Sequence, residues 1–128
     1  MKYLSDYIKD AQTKLFDETG TFFAFSQDQF NEGKKEGVTY TAMLGGAIVP
    51  VENAEKLMLG LEKIHDAGIA QDIAENGIEA IIARELSNHE AYYTYDIRDT
   101  FDSLLGYNVT KAQVQAVFNK IAPTVEVR

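Results

Sequence analysis

After Pro50 the apolar residues recur three and four apart almost to the C-terminus, and this spacing commits the second half of the chain to helices. Residues 52–66 set Leu57, Leu61 and Ile64 on one face with Met58 beside them, and Gly68 ends the run. Residues 69–76 read as a short helix stopped by Gly77. A helix over 78–93 carries Ile78, Ile81, Ile82, Leu86 and Tyr93, and residues 96–107 carry Ile97, Phe101, Leu104 and Leu105 with Gly106 as cap. The last helix is the most fully specified: Thr110 and Gln113 make a capping box, Val114, Val117, Phe118 and Ile121 make the apolar face, and Pro123 closes it. The final VEVR, 125–128, reads as a loose tail or an edge strand.

Before Pro50 the pattern is mixed. Leu4, Tyr7, Ile8, Ala11, Leu15 and Phe16 predict an amphipathic helix over 3–18, with Gly20 as its stop. Phe22, Phe23 and Phe25 are too dense for an exposed loop. Ser26 then caps a short helix through Gly33, with Gln29 completing a capping box and Phe30 turned back onto the aromatic cluster. VTYTAMLGGAIVP, 38–50, is the best strand candidate, and Gly45-Gly46 splits it either as a hairpin turn or as a bulge where another backbone comes close. The sum is an α+β fold: a helix-rich single domain over 1–128, with about five or six helices and a small β-hairpin or sheet around 38–49. A chain of 128 residues can bury such a core without staples.

Charge narrows the function. The net charge is −8, and residues 52–102 hold all of it, with twelve acids against four bases. Such a surface repels phosphate, so direct nucleic-acid binding is not expected; a basic partner or a cation is favoured, with solubility as the plainer explanation. There is no cysteine, which removes disulfides and thiolate metal sites and agrees with a reducing cytoplasm. No run of 18 apolar residues reaches membrane-spanning length, and MKYLSDYIKD has acids where a signal peptide needs an apolar stretch.

Residues 83–100, ARELSNHEAYYTYDIRDT, concentrate the groups that carry chemistry. On one helix Glu85 and His89 share a face and could reach one metal ion, but the second Glu and His set of carboxylate-bridged bundles is missing. His89-Glu90-Ala91-Tyr92-Tyr93 lacks the second histidine of a zinc HExxH motif, and His65-Asp66 suits a helix C-terminus. Glu85, His89, Glu90 and Tyr95 could supply an acid and a base if they line a cleft. A structural histidine explains His89 more simply, and no nucleophile turn surrounds Ser87 or Ser103. No cofactor, metal or catalytic residue is therefore assigned. Tyr92, Tyr93 and Tyr95 suit either an interface or packing, with Tyr93 in the core and the others covering helix ends.

The segments FFAFSQDQFNEG, 22–33, and ELSNHEAYYTYDI, 85–97, resemble a family of small, acidic, largely uncharacterised bacteriophage and prophage proteins. The likeness spans roughly residues 20–120 and carries no catalytic motif, so it transfers no role to any residue. It implies a bacterial cytoplasm and a protein that occupies a host or defence factor, of anti-CRISPR, anti-restriction or DNA-mimic type. The leading expectation is thus a non-catalytic inhibitor of a basic or nucleic-acid-binding host protein. Its contact set is Glu79, Glu85, Glu90, Asp96, Asp99 and Asp102, which steer the partner, with Tyr92 and Tyr95 supplying contact area. The alternatives are a metal-dependent or acid–base enzyme around Glu85, His89 and Glu90, and a self-assembling phage component joined through Phe22, Phe23 and Phe25.

Overall fold

A computed structural model describes residues 1–125; residues 126–128, and with them most of the VEVR tail, lie outside the described residues. The fold is helix-rich α+β, with seven α-helices and one three-stranded antiparallel sheet among the described residues. Two compact units divide the chain: residues 5–68, and residues 1–4 with those from 69 onward.

The first unit holds the sheet. Helix α1, Leu4–Thr19, forms where the amphipathic spacing places it, and Gly20 ends it at φ 73°. The buried Thr19 hydroxyl donates back to the Leu15 carbonyl at 2.8 Å. Strand β1, Phe22–Phe23, leads to α2, Gln27–Gly33. The Ser26 hydroxyl accepts the Gln29 N–H, but the Gln29 side chain takes the Phe25 N–H at 2.7 Å, so the cap closes one residue earlier than a capping box would.

Strands β2, Tyr40–Ala42, and β3, Ala47–Pro50, form the expected hairpin, with Thr41 opposite Val49. Gly45 and Gly46, at φ 80° and 82°, make its turn, a conformation that glycine enters without steric cost. Strand β1 pairs with the other edge of β3, Phe22 opposite Ile48, and β3 is buried along its whole length as the central strand. Phe22, Phe30 and Tyr40 pack edge to face or tilted, at centroid distances of 5.4–6.2 Å. Phe23 and Phe25 correct the sequence reading: they are exposed, Phe25 at 76%. Phe23 keeps an edge contact with Phe16, and Phe25 lies over Gly46, where a Cβ would come within 2.4 Å of the ring. Leu15, Val49 and Leu57 form the core of this unit.

Helix α3, Ala54–Asn76, runs unbroken through Gly68, so the two helices expected over 52–76 are one. A glycine inside a helix costs only about 1 kcal/mol relative to alanine, too little to stop one whose flanks are packed. Its residues 54–68 belong to the first unit and the remainder to the second.

In the second unit α4, Ile78–Asn88, starts after Gly77, and Ile81, Ile82 and Leu86 are buried as the spacing requires. The helix expected over 78–93 breaks at His89–Glu90. Glu90 is left-handed at φ 55°, a short α5 covers Ala91–Thr94, and Tyr95 is left-handed again at φ 57°. This break shifts the helical phase: Tyr92, not Tyr93, enters the core and stacks on Phe118 at 5.7 Å, while Tyr93 is 57% exposed. Helix α6, Arg98–Ser103, is followed by a 3-10 turn at Leu105–Tyr107. Gly106 lies inside that turn, and the left-handed residue after it is Asn108. Helix α7, Lys111–Ile121, carries the full Thr110–Gln113 capping box and buries Val114, Val117 and Phe118.

Candidate functional site

The most elaborate polar arrangement is internal, in the second unit. Asp72 of α3 is fully buried, and Arg84 of α4 and Tyr107 of the 3-10 turn are nearly so. The Arg84 guanidinium donates to both Asp72 oxygens at 3.0 Å, the Tyr107 hydroxyl donates to Oδ2 at 2.6 Å, and Asn76 Nδ2 donates to Oδ1 at 2.8 Å. Arg84 also donates to the Lys2 carbonyl and to Glu85 Oε1, each at 3.0 Å, and stands 5.6 Å over the Tyr3 ring. Burial pushes the Asp72 carboxyl up, but the hydrogen bonds from Arg84, Tyr107 and Asn76 outweigh it and hold the group below the usual carboxylate range. Burial and the bond to Asp72 hold the Tyr107 phenol well above its ordinary value, so it stays a proton donor. Both Asp72 oxygens are matched by donors, and a buried network satisfied in this way ties α3, α4 and the 3-10 turn together.

In the sequence Asp72 counts only as one of the twelve acids of residues 52–102. The missed signal is its phase, for Asp72 lies three residues after Ile69 and next to Ile73, on the side of α3 that packs into the core. Arg84 likewise sits among Ile81, Ile82 and Leu86.

The expected contact residues are all in the second unit but differ in environment. Glu79, Glu90, Asp99 and Asp102 are exposed. Glu79 pairs with Lys120, and Asp96 holds Arg98 in a two-pronged pair that lowers its carboxyl to about 2. Glu85 is mostly buried, its oxygens occupied by Arg84, Asn88 and His89. Tyr95 is 72% exposed and makes a T-shaped contact with Phe118 at 5.9 Å. Tyr92 does not fit the role of surface contact, because only 6% of it is exposed. Its hydroxyl has no hydrogen-bond partner among the described residues, and burial pushes its pKa above the ordinary phenol value, so the phenol remains neutral.

The enzyme alternative gains one contact. His89 Nε2 lies 3.6 Å from Glu85 Oε2, with His89 capping the end of α4 and Glu90 beyond it. Among the described residues no group of three or more His, Asp or Glu side chains is placed to hold a metal ion. None of the described helices is long and apolar enough to cross a membrane.

Beside the tyrosines is a pocket of about 400 Å³ between α4, α5 and the end of α7. Ala83, Ile121 and Val125 supply apolar wall, Ser87 a hydroxyl, and Glu90 the only charge among the described residues; Tyr92 and Tyr93 complete it.

Comparison with known proteins adds membership without a mechanism. No curated protein and no solved structure matches the chain. A family model described as "Family of unknown function (DUF7659)" matches residues 4–124, nearly the whole length, and the chain belongs to that family.

Proposed function

We propose that this protein is a non-catalytic binding protein that engages a basic partner through the second unit. The observation that carries the reading is the charge that survives folding. Residues 69–102, all in this unit, hold eight acids and two bases. The buried pair removes Asp72 and Arg84 together and Glu85 is mostly buried against Arg84, so six acids face one base outside the core, with Glu79 paired to Lys120 and Asp96 to Arg98. Exposed Tyr93 and Tyr95 stand within the same stretch and offer large contact area at low entropic cost. On the resemblance to phage proteins the partner is a host or defence protein that itself handles nucleic acid, and the carboxylates occupy its basic surface.

Capture of the tagged protein's partner from a bacterial lysate at about 50 and about 500 mM salt tests this. A basic protein held at low salt and released at high salt is expected. Against that isolated partner, Glu90→Gln with Asp99→Asn and Asp102→Asn should weaken binding at least roughly tenfold and flatten its salt dependence. A partner whose affinity ignores both salt and the triple variant overturns the proposal.

A further inference from the structure

The α5 pocket can be assigned an occupant more specific than a basic surface. From its lining we infer that it takes a lysine side chain of the partner, with the ammonium at Glu90 and the Ser87 hydroxyl and the alkyl stem along Ala83, Ile121 and Val125. This inference rests on the basic-partner reading above.

Three observations converge on it. The first is charge: a single carboxylate among the described lining residues, beside apolar wall, matches a compact cation on a four-carbon stem, with the stem buried and the head paired. The second is size. About 400 Å³ lies at the low end of ligand pockets and suits one long side chain. The third is Tyr92, which lines the same pocket and whose enclosed hydroxyl has no partner among the described residues. A buried hydroxyl without a partner destabilises the fold that contains it, and an ammonium, with three donors and no acceptor, is the complement a neutral phenol oxygen can accept from.

The hydroxyl is enclosed in the free protein, so reaching it requires a small movement of the wall. The segment that would move is bracketed by Glu90 and Tyr95, both left-handed without being glycine. Such residues sit above the backbone minimum, so a shift of the four-residue α5 between them would relieve strain rather than add it.

The test uses the full chain with N-acetyl-lysine amide as probe, followed by amide chemical shifts. N-acetyl-norleucine amide, which has a similar stem and no charge, is the control. Saturable shifts confined to residues around 83–93 and 121 are expected with lysine, at a dissociation constant on the order of 1–10 mM. The control should give none. Glu90→Gln should weaken the lysine response at least roughly fivefold. Tyr92→Phe should raise the melting temperature by about 3 °C, because it removes an unsatisfied group, and yet weaken probe binding. Equal responses to lysine and norleucine probes, shifts spread over all exposed acids without saturation, or full binding by Glu90→Gln would overturn the inference.

The two proposals fail separately. A salt-sensitive basic partner whose affinity is unchanged by Glu90→Gln and Tyr92→Phe removes the pocket and leaves the function. Localised probe binding with no basic partner removes the function and leaves a lysine-binding pocket.

Discussion

At Asp72 the decisive fact is a charge placed where solvation is lost and then fully matched. Its two oxygens accept from Arg84, Tyr107 and Asn76, and Arg84 in turn fixes the Lys2 carbonyl and stands over Tyr3, so one carboxylate organises α3, α4, the 3-10 turn and the N-terminal residues. Asp72→Asn would leave the buried guanidinium with only the Glu85 carboxylate as counter-charge and should destabilise the protein by about 3 kcal/mol in urea unfolding. The pH dependence has a definite sign. Because the folded carboxyl lies below the ordinary value, its contribution is present above the unfolded-state value of about 3.9 and is lost as the pH falls toward the lowered folded one. Urea midpoints at pH 7, 5 and 3 should therefore fall less steeply below pH 5 in Asp72→Asn than in the natural protein. Parallel slopes would mean that other carboxylates carry the acid sensitivity.

Among the elements, α7 was legible because each of its signals is local. The capping box lies within four residues, the apolar face repeats over two turns, and Pro123 follows. Thr110→Ala should thus cost about 1 kcal/mol in thermal or urea unfolding, since it leaves the Gln113 N–H without its acceptor at the helix start. The hairpin was legible for the same reason, from two glycines between β-forming runs. What escaped reading depends on distant contacts. Strand β1 is two phenylalanines that become a strand only by pairing with Ile48 and Ala47 of β3, distant in the sequence. Gly68 resembles a stop and is none, because the residues around it are packed. The break at His89–Glu90 has no glycine to announce it, and it decides which tyrosine is buried and which two are displayed. The candidate site was legible as a cluster of residue types; its division into core, ion pair and exposed surface was not.

For the whole molecule, net charge in the sequence and charge facing solvent are different quantities. The acidic stretch 52–102 is shared between the two units, and the buried pair within it cancels without changing the sum. The remaining carboxylates are mostly exposed, and an excess of like charge opposes the compact state through self-repulsion. Salt screens that repulsion over a distance that shrinks from about 30 Å at 0.01 M to about 10 Å at 0.1 M, whereas a buried pair is screened far less. Raising sodium chloride from about 10 to about 150 mM should therefore stabilise the protein, by a few tenths to about 1 kcal/mol. The loss caused by Asp72→Asn should be the same at both concentrations. If added salt instead destabilises the protein, the exposed pairs Glu79–Lys120 and Asp96–Arg98 outweigh the repulsion. The exposed carboxylates would then be too well compensated to steer a basic partner, and the charge-based reading of the second unit would lose its footing before any partner was sought.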